Sequence, residues 1–200
     1  MVGELYRFDE NFIELKSGFV AGVDEAGRGP LAGDVFAAAV ILDRDCMIEG
    51  LDDSKKLSFK KREELFEKII NNSLAYGIAT ASVAEIDRLN ILEATVLAMN
   101  RAIKLLKVNP DFALIDGNYS KGIVCDNIAV IGGDRKSASI AAASILAKVS
   151  RDRYMLEIAD KYPVYNFSKH KGYGTKEHIE AIKKYGVCKL HREKFCRKFI

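Results

Sequence analysis

The sequence is missing what several function classes require. Its 200 residues contain no apolar run of about 18 or more, which excludes a membrane-spanning helix. The opening MVGELYRFDENFIELK is acidic and broken, without the basic and apolar blocks of a signal peptide. The cytoplasm is therefore the expected location. The cysteines at 46, 125, 188 and 196 are scattered, and no two have the spacing of a zinc knuckle or a redox pair. Cys188 and Cys196 flank His191, but the ligand count is too short for zinc, so structural thiols are expected. There is no internal repeat and no low-complexity stretch. The turn EAGRGP is not a dinucleotide fingerprint, because its acids precede the glycines and no third glycine follows in place.

What is present suits one substantial core, with 48% hydrophobic residues. The formal charge of +3 hides an uneven distribution. Residues 168–200 carry ten Lys or Arg against three Glu, a net of +7, which leaves −4 for the rest. A basic tail beside an acidic body suits a protein that grips a polyanion and holds cations elsewhere; solubility alone would also explain it.

The apolar pattern predicts strands at 19–24, 35–42, 74–80, 112–115 and 128–131. Helices are expected at 59–70, from Ser82 with Glu85 in the capping-box place, from Asn90 to about Leu106, and from Ser139 to Ala159. Thr175 caps a helix to about Lys184, and a final basic helix is expected from near Leu190. The order predicts a mixed α/β sheet with helices on both faces. Residues 1–160 form the expected catalytic core, and 161–200 a small basic helical region that helps bind substrate.

Three of the apolar strands run into acids, in VAGVDE, FALIDG and AVIGGD. Asp24, Glu25, Asp116 and Asp134 thus stand at strand ends, where α/β sheets commonly bind ligands. Carboxylates gathered there repel one another unless a cation or proton joins them. Hard divalent ions want such oxygens, and magnesium or manganese is the natural choice. Adjacent residues of a regular strand face opposite ways, so Asp24 and Glu25 share an ion only if the chain turns after Asp24 or Glu25 offers its carbonyl. Asp34, Asp52 and Asp53 read as turn or solvated acids, and Asp152 as a helical partner of Lys148.

Around these acids lies a candidate phosphate and sugar surface. The amides of the Gly27-Arg28-Gly29 turn can approach a sugar closely, and Arg28 can reach a phosphate. DSKKL supplies Lys55 and Lys56. Ser137 and Ser139 stand at a helix start that favours a phosphate or carboxylate, or simply cap it. His170, Lys171 and Tyr173 lie in a basic glycine-flanked loop whose ring can stack on a base or sugar.

The stretches AGVDEAGRGPLAG, DSKKL, LIDGN, IGGD, SIAAASILAKVSRDR and HKGYGT, in that order, resemble the ribonuclease HII family. The resemblance implies a ribonuclease H-like fold with a small helical C-terminal region. It implies a metal-dependent endonuclease that cuts RNA hybridised to DNA, and cuts 5′ of single ribonucleotides in duplex DNA, leaving 3′-hydroxyl and 5′-phosphate ends. Its partners would be RNA/DNA hybrid duplex and ribonucleotide-containing DNA, its cofactor Mn2+ or Mg2+, and no membrane is involved. The four acids match the family's catalytic and metal-binding acids. Gly27, Arg28 and Gly29 match the turn that reads the ribose 2′-hydroxyl, Tyr173 the sugar-packing tyrosine, and Lys56 a lysine near the phosphates. One departure is visible, since YSKGI follows LIDGN where the family often has a proline. A monomer is expected. Two rival readings are a resolvase- or exonuclease-like nuclease of the same fold, and a non-enzymatic nucleic-acid binding module.

Overall fold

The computed structural model describes residues 2–16 and 18–200. Its centre is a five-stranded sheet in the order β3-β2-β1-β4-β5, made of β1 (Val20–Ala26), β2 (Val35–Leu42), β3 (Ser73–Ala81), β4 (Phe112–Asp116) and β5 (Asn127–Val130). The first three strands form an antiparallel meander, while β4 and β5 continue the sheet parallel to β1. The C-terminal ends of β1, β4 and β5 therefore open on the same edge. The mixed sheet with helices on both faces is the architecture expected.

The helices are α1 (Val2–Lys16), α2 (Phe59–Asn72), α3 (Val83–Leu89), α4 (Ile91–Lys104), α5 (Ala138–Ala159), α6 (Phe167–His170), α7 (Lys176–Tyr185) and α8 (Glu193–Cys196). On one face α4 packs Ala98, Met99 and Ala102 against Ala37, Ala39 and Ala113. On the other, α5 lays Ala141, Ala142 and Ile145 over Ala38 and Val40, with Leu65 and Ile69 of α2 beyond. The alanine-rich β2 is buried on both sides, and its small side chains let the helices come close. At Gly22 and Gly77 the approach is tight, since a Cβ at either would lie 2.1 Å from helix backbone, that of Ser139 and Ala102 respectively. Ser82 and Glu85 form the expected capping box, and Asn90 caps α4 by accepting the N–H groups of Leu92 and Glu93.

Two ends of the chain differ from the sequence reading. The opening stretch, read only as acidic and broken, is a helix. It buries Leu5, Tyr6 and Asp9, and Phe12 stacks on Phe112 with centroids 6.0 Å apart. At the other end the basic helix expected from near Leu190 begins at Glu193 and is short. Just before it His191 and Arg192 run beside the turn after β1, where Gly33 N–H donates to Leu190 O and Arg192 N–H to Leu31 O, each at 2.8 Å. Those backbone groups are committed to another chain segment, so only the short α8 follows. Among the described residues no helix is long and apolar enough to cross a membrane.

Candidate active site

The open edge of the sheet gathers the acids. Asp24 and Glu25 lie within β1, which continues to Ala26 rather than turning after Asp24. Their ladder partners on β2 are Ala38 and Ala37. The two carboxylates therefore leave opposite faces, and the sharp turn that would aim both at one point is absent. Asp24 is 6% exposed, on the face of the sheet that α5 covers. Glu25 faces a small cleft shared with Arg28, Asp116, Asn118 and Tyr119. Asp116 ends β4, and Asp134 sits in the 3-10 turn Gly133–Arg135 that follows β5.

Three of the acids are perturbed where they stand. Burial raises the Asp24 pKa well above the usual carboxylate range, with Glu25 and Asp116 adding to it. Burial also raises Glu25, where Arg28 opposes and Asp116 assists. Asp134 is raised by burial, Asp116 and Asp53. Yet among the described residues no three such groups stand together as a ready metal cage. Each carboxylate has a local partner. Asp24 accepts the Glu25 N–H at 2.6 Å, and Asp116 accepts the Gly133 N–H at 2.7 Å. Glu25 lies 3.5 Å from Arg28, and Asp134 lies 3.8 Å from Arg135. The donor set, all carboxylate oxygen and mutually destabilised when ionised, fits a hard divalent cation.

The DSKKL loop approaches this edge, but not as expected. Lys55, rather than Lys56, faces the acids. Burial lowers the Lys55 pKa, but Asp24, Asp134, Asp53 and Asp116 together outweigh it and raise the net value. Lys56 turns away to pair with Asp52 at 3.3 Å. Ser54, just before them, shares a 2.8 Å hydroxyl contact with Ser144, so the loop is tied to α5. Sequence pattern cannot separate adjacent lysines in a loop, and nothing local marks Ser54 or Ser144.

The turn after β1 is held from beneath by two buried arginines. Arg192, with no exposed surface, donates to the carbonyls of Gly27, Arg28, Pro30 and Gly33 over 2.6–2.9 Å. Arg151 of α5, 1% exposed, donates to Ala32 and Asp34 carbonyls at 3.2 and 3.3 Å. Gly27 has φ +100°, and a Cβ there would lie 2.1 Å from Arg151 Nε, so only glycine fits. Asp34, read as a turn acid, instead accepts the Val83 N–H at 3.1 Å at the start of α3. The Arg151 guanidinium also stands 5.7 Å from the Tyr173 ring centroid. Tyr173 is 44% exposed and borders Gly29. Arg192 belongs to the tail read as a polyanion grip, and its burial assigns it a different task.

Other expected contacts point elsewhere. Ser137 and Ser139 are 0% and 2% exposed. Ser137 caps α5, and the anion at that helix start is the Asp9 carboxylate, which accepts the Ser139 N–H at 2.8 Å. Neither serine is presented to a substrate. Lys171 bends its ammonium back onto the Ser168 carbonyl. Asp152 pairs with Lys148 at 2.7 Å as expected.

His170 is buried with both ring nitrogens engaged, by Tyr165 O and Gly172 N–H, and is not poised to shuttle a proton. His178 and His191 continue the cluster with Nε2 atoms 3.1 Å apart, and His178 Nδ1 donates to the carbonyl of Tyr173. Cys188 lies against His191, and the Cys196 thiol donates to Leu31 O. After Asn118 the loop lacking a proline is pinned by Asn100, which bonds Gly122 O at 2.8 Å and Val124 N at 3.0 Å.

A family profile described as Ribonuclease HII matches residues 21–198. A ribonuclease HII of Caldicellulosiruptor bescii is 56% identical over 199 residues, covering 96% of this chain and 97% of its own. One from Coxiella burnetii is 58% identical over 176 residues, covering 88% and 87%. Among solved structures, the ribonuclease H2 of Pyrococcus horikoshii superposes with a TM-score of 0.74 at 29% identity, covering 90% of this chain and 96% of its own.

Proposed function

The chain belongs to the ribonuclease HII family, and on that premise we propose that Asp24, Glu25, Asp116 and Asp134 are its catalytic acids and that the Gly27–Gly29 turn and Tyr173 read the sugar. The protein is an endonuclease that hydrolyses the RNA strand of RNA/DNA hybrids. It cuts 5′ of a single ribonucleotide embedded in duplex DNA, leaving a 3′-hydroxyl and a 5′-phosphate. Its activity depends on a divalent metal. Mn2+ or Mg2+ is the ion proposed, because every donor at the site is a hard carboxylate oxygen. When bound, such an ion supplies the positive charge that acidifies an attacking water and steadies the departing 3′-oxygen.

The chain's own groups do the rest. The four acids would hold the ion, Glu25 through its backbone carbonyl. Lys55 adds positive charge to the same edge, beside Arg28 and Arg135, where a phosphate would otherwise face mostly acids. The turn amides at 28 and 29 hydrogen-bond the 2′-hydroxyl, and the exposed Tyr173 ring packs on the neighbouring sugar. The remaining exposed lysines of residues 161–200 add affinity that carries little sequence preference and falls with salt. A cytoplasmic monomer suits this work.

The observation that carries the reading is the shared edge: mutually raised carboxylates stand beside a glycine turn bordered by an exposed tyrosine. The test is a matched pair of duplexes, one all DNA and one with a single ribonucleotide. Cutting only at the ribonucleotide supports it. Equal cutting of both points to a nuclease without sugar reading, and no cutting of either to a binding module.

A further inference from the structure

We propose that Arg192 is the positioning residue for sugar discrimination, setting from beneath the direction of the amides that read the 2′-hydroxyl. The inference rests on the sugar-reading role of the Gly27–Gly29 turn proposed above.

The argument begins with peptide geometry. In a trans peptide the carbonyl and the following N–H point opposite ways. Arg192 Nη2 holds the Gly27 carbonyl at 2.6 Å and Nη1 holds that of Arg28 at 2.9 Å. The N–H groups of Arg28 and Gly29, which belong to those two peptides, are thereby directed away from the guanidinium. Arg28 and Gly29 are exposed, and Gly29 borders Tyr173. The same relation can be checked two residues on. Arg192 Nη1 holds the Pro30 carbonyl at 2.9 Å, and the Leu31 N–H of that peptide runs the other way, to Gly172 O at 2.8 Å.

The device is unusual in its charge. Arg192 and Arg151 lie side by side in the interior, and neither forms an ion pair among the described residues. Burying a guanidinium without a carboxylate is costly unless every donor is matched. Arg192 meets that condition with carbonyls alone, its planar fork spanning four of them. An ammonium, with three donors at a single point, cannot span the same set. A carboxylate at this place would also repel the phosphates of a bound strand, whereas the carbonyl-lined guanidiniums leave net positive charge beneath it.

The substrate is thus recognised by two parallel amide donors fixed on one guanidinium. A ribose offers a hydroxyl oxygen to accept from them; a deoxyribose leaves them unmatched. If the fork is lost, the peptides at 27 and 28 can rotate. Discrimination then relaxes, while the acid cluster and the phosphate contacts stay in place.

The test uses the full-length protein with Arg192→Lys and Arg192→Ala, each checked for folding by circular dichroism. Single-turnover cleavage and dissociation constants are measured on matched duplexes with one ribonucleotide or none. Arg192→Lys is expected to cut at the ribonucleotide about 100-fold more slowly, as small misplacements of positioning groups do. Its dissociation constant should change less than about 3-fold, since phosphate contacts set affinity. The ribose-over-deoxyribose ratio should fall with it. A folded Lys variant that keeps the wild-type ratio overturns the assignment. So does failure of both variants to fold, which would give Arg192 to stability alone. If the wild type itself cuts both duplexes equally, the reading of the turn fails first.

Discussion

The carboxylate of Asp9 accepts the backbone N–H of Ser139 at 2.8 Å, so a helix near the chain's start supplies the anion at the first turn of α5. That turn follows directly on the loop carrying Asp134. Asp9 is the buried polar residue of an otherwise apolar helix face. Burial raises its pKa to about 6, against the hydrogen bonds from the α5 start that lower it.

A stability prediction follows from that value. A folded pKa raised above the unfolded one favours the protonated form, so the contribution is full below about pH 4 and is lost as pH rises through about 6. Asp9→Asn keeps an acceptor for Ser139 and removes the charge. The unfolding free energy of the Asn variant relative to wild type should increase by on the order of 3 kcal/mol across that window. Urea titrations of both proteins at several pH values measure it. A difference that stays flat contradicts the placement of Asp9.

At the active edge, Asp116→Asn should lower cleavage by on the order of 1000-fold, the scale of losing a preorganised charge in a reaction centre. Binding to hybrid duplex should hardly change, since the substitution removes a metal-holding charge and not a phosphate contact. Single-turnover assays and fluorescence anisotropy separate the two. Near wild-type cleavage would remove Asp116 from the mechanism.

The two lysines of DSKKL should behave differently. Lys55→Ala is expected to slow cutting by about 10-fold, the worth of one well-placed charge-assisted contact. Lys56→Ala should stay within about 2-fold, as expected for an exposed surface pair. The reverse order in a side-by-side rate comparison would return the role to Lys56.

Tyr173→Ala should cut a lone ribonucleotide about 10-fold more slowly, in line with the energy of one aromatic stacking contact. Tyr173→Phe should recover most of that rate, because the ring and not the hydroxyl makes the contact. Parent-like rates for the Ala variant would exclude sugar packing.

These residues also mark where the sequence could be read. The strands were legible because apolar runs end abruptly in acids, as in FALID, and that pattern places Asp24, Asp116 and Asp134 on one edge without any coordinates. Helix caps such as Ser82 with Glu85 were legible because their chemistry is local. What escaped was non-local. Arg192 acts on Gly27, 165 residues earlier, and a basic residue in a basic stretch gives no sign that it is buried. The α1 helix was hidden because Asp9 interrupts its apolar face, and its partner lies 130 residues away. Ser137 and Ser139 looked available for phosphate only because that carboxylate could not be foreseen. The choice of Lys55 over Lys56 depends on how a loop is tied through Ser54 and Ser144, which adjacency in sequence cannot decide.

The central claim is that Asp24, Glu25, Asp116 and Asp134 hold divalent cations beside the scissile phosphate. Its most direct test is a crystal structure with Mn2+ and a duplex containing one ribonucleotide, with cleavage blocked by Asp116→Asn. The account predicts manganese density between Asp24, the Glu25 backbone carbonyl and Asp134 at the 5′ side of the ribonucleotide, with Asp134 released from Arg135. Manganese bound elsewhere, or Asp134 still on its arginine with the substrate in place, would contradict it.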